Sequence, residues 1–338
     1  SSSAALSYVD ALLELIIDDK QFHSENLHDL AKRLAVDAPD REVVKVAIAI
    51  LGLFANEDDA SIFMTLGRHE EFTLYAAVAI ANAVRDSDEA LWELAQEVHG
   101  WGRIHLVERM AGTDNIRIRQ WMLREGYKNN IMREYSAYTC ATSGDLLSDL
   151  RRPSVEQDLL VGAGDLLVAL INGRNGPAFG ILDFQDGAEC LENYLRHLEV
   201  APRSLREFLN AKTIFEFLKS ANTDWEVLRD QGWTSYLHFH LLKSTEGYLR
   251  EPVWRSMIED GLRSAVDEDF LMAAKAALYF CIDTWPEYFN RLEKGKDYWL
   301  EVLQTKDLER LSRVVALARA QLPLTDLSSG PSLKVAPE

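Results

Sequence analysis

The sequence predicts an all-α fold, a superhelix of antiparallel helix pairs that becomes less regular in the C-terminal half. The first observation is an internal repeat of 30 residues, in which the acidic segment 58–60 recurs at 88–90 and the apolar segment 44–52 recurs at 74–82. The second is that apolar residues recur at helical spacing and rarely alternate as they do in strands. A single helix pair cannot bury its apolar face, so neighbouring pairs are expected to stack.

Helices can be placed in order along the N-terminal half. The segment 41–55 is apolar on nearly every side, which predicts a helix buried between neighbours. The acidic run 57–59 follows it and suits the positive end of the next helix. Trp101, between two glycines, is expected in a loop between helices. The predicted N-terminal helices cover 4–17, 24–35, 41–55, a segment starting at 57, 72–85, 88–98, 103–110, 116–125 and 130–142.

The C-terminal half continues as helices with a weaker repeat. Breaks at 151–153 and at 172–177 mark the candidate boundary, and 179–184 is the one stretch compatible with a short strand, although a loop is favoured. We therefore expect a repeat region at 1–150, a helical region at 151–325 and a disordered tail at 326–338. The predicted C-terminal helices cover 154–171, 187–199, 203–219, 224–249, 252–265, 268–283, 285–293, 296–304 and 306–321.

The composition limits the function classes. The net charge of −18 repels phosphate backbones, so nucleic acid is an unfavourable partner and a cationic protein or peptide a favourable one. No apolar run is long enough to cross a bilayer. No signal peptide is visible, and three widely spaced cysteines favour free thiols in a reducing cytoplasm.

The sequence contains no persuasive catalytic or metal motif. The run 57–59 lacks a further carboxylate one helical turn on, because Ile62 and Phe63 stand there. His238 and His240 point away from each other on a helix, and the glycines at 173–180 lack the lysine and hydroxyl residue of a nucleotide loop. We therefore expect no metal and no cofactor.

Small residues mark the repeated helices, with Ala47, Ala49 and Gly52 in the first copy and Ala76 and Ala79 in the second. Together with the acidic helix starts, this pattern resembles the HEAT and HEAT-like repeat superfamily over about residues 40–145. Ala49 and Ala79 are then expected to lie close to neighbouring helices.

The favoured function is a non-enzymatic interaction module whose acidic edge binds a cationic protein or peptide. The residues predicted to bind the partner are Asp58, Asp59, Asp88, Glu89 and Trp101.

Two alternatives remain open. HEAT-like alkylpurine DNA glycosylases bind DNA through basic and aromatic residues, and the resemblance implies a candidate DNA-binding cluster here. That cluster comprises Arg117, Arg119, Trp121, Arg124 and Lys128. The second alternative is a small-molecule pocket in the aromatic C-terminal half, which would be apolar with a few converging polar groups.

Overall fold

The computed structural model describes residues 3–18, 23–54, 56–174, 176–223 and 225–322. Every regular element in these ranges is helical, which confirms the prediction of an all-α fold. The helices are α1 (Ser3–Asp18), α2 (Ser24–Asp37), α3 (Arg41–Leu51), α4 (Ala60–Gly67), α5 (Glu70–Ala83), α6 (Ser87–Glu97), α7 (Gly100–Arg109), α8 (Ile116–Trp121), α9 (Glu134–Ser143), α10 (Leu146–Leu150), α11 (Gln157–Gly173), α12 (Gly187–Val200), α13 (Leu205–Leu218), α14 (Ser235–Leu249), α15 (Val253–Arg263), α16 (Asp267–Ala277), α17 (Trp285–Glu293), α18 (Trp299–Leu303) and α19 (Leu308–Gln321). None of these helices combines the length and apolar character needed to span a membrane.

The chain divides into two compact units. The first comprises 1–202 and 210–248, and the second comprises 203–209 and 249–338. The boundary expected at 151–153 falls inside the first unit. The expected disordered tail, 326–338, lies outside the described residues.

In the first unit, the odd-numbered helices from α3 to α11 pack side by side in one row. Helices α3, α5, α7, α9 and α11 contact one another in that order, and α11 contacts α12. Helix α2 packs on α3, α4 packs on α5, and α6 packs on both α5 and α7. The connections between successive helices are short, such as 84–86 and 98–99.

Small residues let α3 and α5 approach closely. A Cβ atom on Gly52 would lie 2.8 Å from the Cα of Ala79, so Ala79 packs against a neighbouring helix as expected. Ala49 differs, because it is half-buried and lines a cavity rather than a tight contact.

Two glycines in α11 also mark close approaches. A Cβ atom on Gly162 would meet the carbonyl oxygen of Leu123, and one on Gly164 would meet the hydroxyl of Tyr194. Glycine lowers the stability of a helix, but at these two positions only glycine leaves room for the neighbouring elements. Leu123 itself lies in a π-helical turn, Met122–Gly126, that continues α8.

Two expectations about local structure were wrong. Trp101 lies in the first turn of α7 and not in a loop. The helix expected at 224–249 is interrupted by a 3-10 turn, Val227–Gln231, and by Gly232, whose φ of 87° ends that turn. Residues 179–184 form turns and irregular structure, as favoured by the sequence, and no strand.

The second unit has an aromatic core. Trp285, Phe289, Leu292, Val302 and Val314 pack together there, and the indole N–H of Trp285 donates to the carbonyl of Val302 at 3.0 Å. These side chains account for part of the aromatic enrichment of the C-terminal half.

Candidate functional site

Asp59 is buried and forms an internal ion pair. Its carboxylate lies 2.8 Å from Lys32 Nζ and 2.5 Å from His28 Nε2, and its side chain is fully buried. Burial alone would raise the pKa of Asp59, but the hydrogen bonds from Lys32 and His28 outweigh burial and hold that pKa below its ordinary value. The predicted exposed position of this carboxylate is therefore wrong, because its charge is used inside the fold.

The two acids that start α6 are also paired within the chain. Asp88 accepts a hydrogen bond from the Thr113 hydroxyl at 2.5 Å. Glu89 accepts one from the Asn115 amide at 3.2 Å and lies 3.3 Å from the guanidinium of Arg117. Of the four acids predicted to bind a partner, only Asp58 is exposed.

We call this side of the repeat region the paired edge, defined by Asp59, Asp88, Glu89, Arg117, Arg119 and Asp145. Its acids meet cations or hydroxyls from the preceding or the following helix pair. Arg119, for example, donates to Asp145 at 3.0 Å. The recurring acids at helix starts therefore join successive helix pairs.

Exposed and half-buried aromatic rings lie along α7 and α9. Trp101 is 48% exposed, and its ring centroid lies 5.0 Å from that of Tyr135. Tyr138 is one helical turn beyond Tyr135, and its ring lies 5.1 Å from that of Phe179, which is 64% exposed. The rings thus follow one another across α7, α9 and the segment after α11.

Two carboxylates accompany these rings. Glu70 starts α5, and its Oε1 lies 3.2 Å from the position of a Cβ on Gly100, next to Trp101. Glu134 starts α9, next to Tyr135. Neither carboxylate has an ion-pair or hydrogen-bond partner within the described part of the chain, whereas the neighbouring Glu71 is paired with Arg41 and Lys45.

The backbone at the start of α7 is held firmly in place. Gly100 has a φ of 69°, which favours glycine. Its N–H donates to Asn129 at 2.8 Å, and its carbonyl accepts from the same amide at 2.9 Å. Trp101 therefore projects from a fixed helix start. We call this surface the aromatic edge, defined by Glu70, Trp101, Glu134, Tyr135, Tyr138 and Phe179.

The predicted DNA-binding cluster is neutralised by acids of the same chain. Arg117 pairs with Glu89, Arg119 with Asp145, Arg124 with Glu156 and Asp158 at 2.8 Å and 2.7 Å, and Lys128 with Glu125 at 2.6 Å. Trp121 is half-buried and lies under the guanidinium of Arg103, 5.2 Å from its ring centroid. No unpaired cation is left among the four basic side chains of this described cluster.

Other candidate chemistry is sparse. The described residues contain no group of three or more histidine, cysteine or acidic side chains that could hold a metal ion. Cys140 and Cys190 are buried free thiols, and burial raises the pKa of both well above the ordinary value. Cys281 is free and exposed.

Sequence reasoning missed Glu70, Glu134, Tyr135, Tyr138 and Phe179. The 30-residue period of the acidic and apolar segments also relates positions 70, 100 and 130, and the structure brings the side chains of Glu70 and Asn130 close to Gly100. Comparisons of the chain with protein-family models, with curated proteins and with solved structures find no match.

Proposed function

We propose that this chain is a non-enzymatic protein-interaction module that binds a cationic segment of a partner protein on its aromatic edge. In this proposal the helix pairs of the first unit stack as HEAT-like repeats and form a rigid support. The observation that carries the proposal is the contact of the exposed Trp101 with the half-buried Tyr135, beside two carboxylates, Glu70 and Glu134, that have no partner among the described residues.

The stacked arrangement is supported by the spacing of polar contacts. Hydrogen bonds join residues 28 to 31 positions apart, such as Arg41 with Glu71 and Gly100 with Asn129. This interval matches the repeat period of the sequence. Neighbouring parts of the chain are therefore bonded at about the repeat interval, which supports a repeat array.

The chemistry of the edge favours lysine or arginine side chains. A cation over a tryptophan or tyrosine ring is attracted by the ring, with an energy of about 0.5–2 kcal/mol depending on solvation. Carboxylates at the rim add ion pairs and speed association. Exposed aromatic residues are also enriched among the residues that contribute most to protein interfaces.

The same charges disfavour the nucleic-acid alternative. A phosphate backbone on the aromatic edge would meet Glu70 and Glu134, within a chain of net charge −18. The basic side chains that could attract it near Trp121 are already paired with acids. We therefore prefer a cationic polypeptide as the partner class.

Fluorescence anisotropy with labelled peptides tests the proposal. We expect arginine- and lysine-rich peptides to bind, and glutamate-rich peptides of equal length not to bind. Trp101→Ala should weaken binding by about tenfold, since hot-spot aromatics contribute upward of 1–2 kcal/mol. The double variant Glu70→Gln, Glu134→Gln should weaken peptide binding more at low salt than at high salt.

Matched controls distinguish peptide binding on the aromatic edge from binding to any acidic surface of the protein. Tyr236→Ala removes a ring that is 81% exposed elsewhere in the first unit. The double variant Glu93→Gln, Glu192→Gln changes the net charge by the same amount on exposed helix faces. If these controls weaken binding as much as the edge variants, binding is nonspecific and the proposal is wrong.

A further inference from the structure

The rings of the aromatic edge form two pairs, which join α9 to two different neighbours. Trp101 of α7 contacts Tyr135, with ring centroids 5.0 Å apart. Phe179, in the segment after α11, contacts Tyr138 at 5.1 Å. Trp101 is 48% exposed and Phe179 is 64% exposed, so each pair presents one large ring to solvent.

The first pair has a carboxylate beside it. Oε1 of Glu70 lies 3.2 Å from the position of a Cβ on Gly100, the residue before Trp101. A cation on the exposed ring of Trp101 is therefore attracted by the ring and by the nearby negative charge. We call Glu70, Trp101 and Tyr135 the first subsite.

The second pair has a carboxylate of its own. A Cβ on Gly173 would lie 3.5 Å from the Cβ of Glu134 and 3.7 Å from the carbonyl oxygen of Phe179. Glu134 also precedes Tyr138 by four residues on α9, so the two share a helix face. We call Glu134, Tyr138 and Phe179 the second subsite.

The spacing of the two subsites matches that of an extended chain. Tyr135 and Tyr138 are three residues apart on α9, so their Cβ atoms lie about 5–6 Å apart. In an extended polypeptide, alternate side chains point the same way and lie about 6.6 Å apart. Two cationic side chains separated by one residue can therefore reach one subsite each.

A helical partner segment fits these subsites less well. Cations three or four residues apart on a helix have a similar spacing, but like charges at that spacing destabilise the helix. A short helix is also only marginally stable in water. An extended segment has neither cost.

We propose that the aromatic edge binds an extended segment of its partner, in which two cationic side chains separated by one residue occupy one subsite each. This inference rests on the proposed function, and it adds the spacing of the cations and the conformation of the bound segment.

Peptides of equal length, built from glycine, serine and arginine, test the spacing. Two arginines are adjacent, separated by one residue or separated by three, and a further peptide carries a single arginine. The indole N–H signal of Trp101 in proton–nitrogen NMR spectra of the full chain follows each titration. Arginines separated by one residue should bind about tenfold more tightly than the single arginine, as expected for one further cation over a ring. The other two spacings should bind several-fold more weakly than this peptide.

Removing the second exposed ring should remove the preference for spacing. In Phe179→Ala, the two arginines separated by one residue should bind at most about twofold more tightly than the single arginine. Binding of the single arginine, observed at Trp101, should stay unchanged. Phe239→Ala removes a ring that is 59% exposed on α14 and should leave all affinities unchanged. Glu134→Gln, which preserves the size of the side chain, should reduce the advantage of the second arginine by about two- to fourfold.

The dispersion of each NMR spectrum shows that the variant is folded. The inference is overturned if all three spacings bind equally, or if a separation of three residues binds most tightly, as a helix would. It is also overturned if folded Phe179→Ala, or Glu134→Gln in its place, keeps the full preference for one spacing. In these cases arginine peptides still bind, and the proposed function stands. If no arginine peptide shifts the Trp101 signal, both are wrong.

Discussion

The two edges of the repeat region use their charges differently. On the paired edge, Asp59, Asp88 and Glu89 bond to residues of neighbouring helix pairs. On the aromatic edge, Glu70 and Glu134 have no partner among the described residues, and Trp101 is nearly half exposed beside them. Asp59, Asp88 and Glu89 therefore link neighbouring helices, whereas Glu70 and Glu134 remain available to a partner.

This difference has a physical reason. A residue that recurs at the repeat interval can meet an equivalent neighbour in successive helix pairs, which favours the same contact at each repeat. A binding surface needs a particular combination of side chains at one place. Periodicity is thus a guide to stabilising contacts and a poor guide to a binding site.

The largest effect expected on the paired edge concerns Asp59. Asp59→Ala removes the carboxylate that joins Lys32 and His28, and it should lower the free energy of unfolding by about 2–4 kcal/mol. Asp58→Ala, at the exposed neighbour, should change it by less than about 0.5 kcal/mol. Urea denaturation at pH 7 measures both.

The pH dependence sharpens the same test. The pKa of Asp59 is lowered in the folded state, so its contribution is present above the unfolded pKa and is lost as the pH falls through the folded pKa. The native protein should lose more stability on acidification below about pH 4 than Asp59→Ala does. If the two proteins lose equal stability in acid, or if the variants at positions 58 and 59 have equal effects, the paired edge contributes little to the free energy of unfolding.

The second prediction concerns the helices between the two edges. Ala79→Leu should destabilise the protein by about 1–3 kcal/mol, because Ala79 already touches Gly52. Ala49→Leu should cause no loss, and a gain of up to about 1 kcal/mol, because Ala49 lines the cavity. Denaturant midpoints that shift equally for both variants would mean that α3 and α5 approach each other evenly at the two positions.

The sequence predicted the helices well and the site poorly. The 30-residue period and the small residues at 49, 52 and 79 were sufficient to place α3 and α5 against each other. The burial of Asp59 was not predictable in the same way, because its partners come from α2, outside the repeat. Tyr135, Tyr138 and Phe179 meet only through the tertiary packing of α9 and the segment after α11, which no spacing rule encodes.

The smallest expected effect, and the most direct comparison of the edges, concerns association kinetics with an arginine- and lysine-rich peptide. Glu70→Lys with Glu134→Lys should slow association several-fold at low salt, and the difference should shrink as salt screens charges beyond about 8 Å.

Asp58→Lys with Glu93→Lys makes the same change in net charge at exposed positions outside the aromatic edge. Stopped-flow fluorescence over a series of salt concentrations measures both. Because all four positions are exposed or half-buried and form no ion pair within the described ranges, neither variant should lose much stability, so a difference in rate reports charge at the site. Equal slowing by the two variants would indicate that the partner senses only the total charge, and the distinction between the edges would then hold for stability alone.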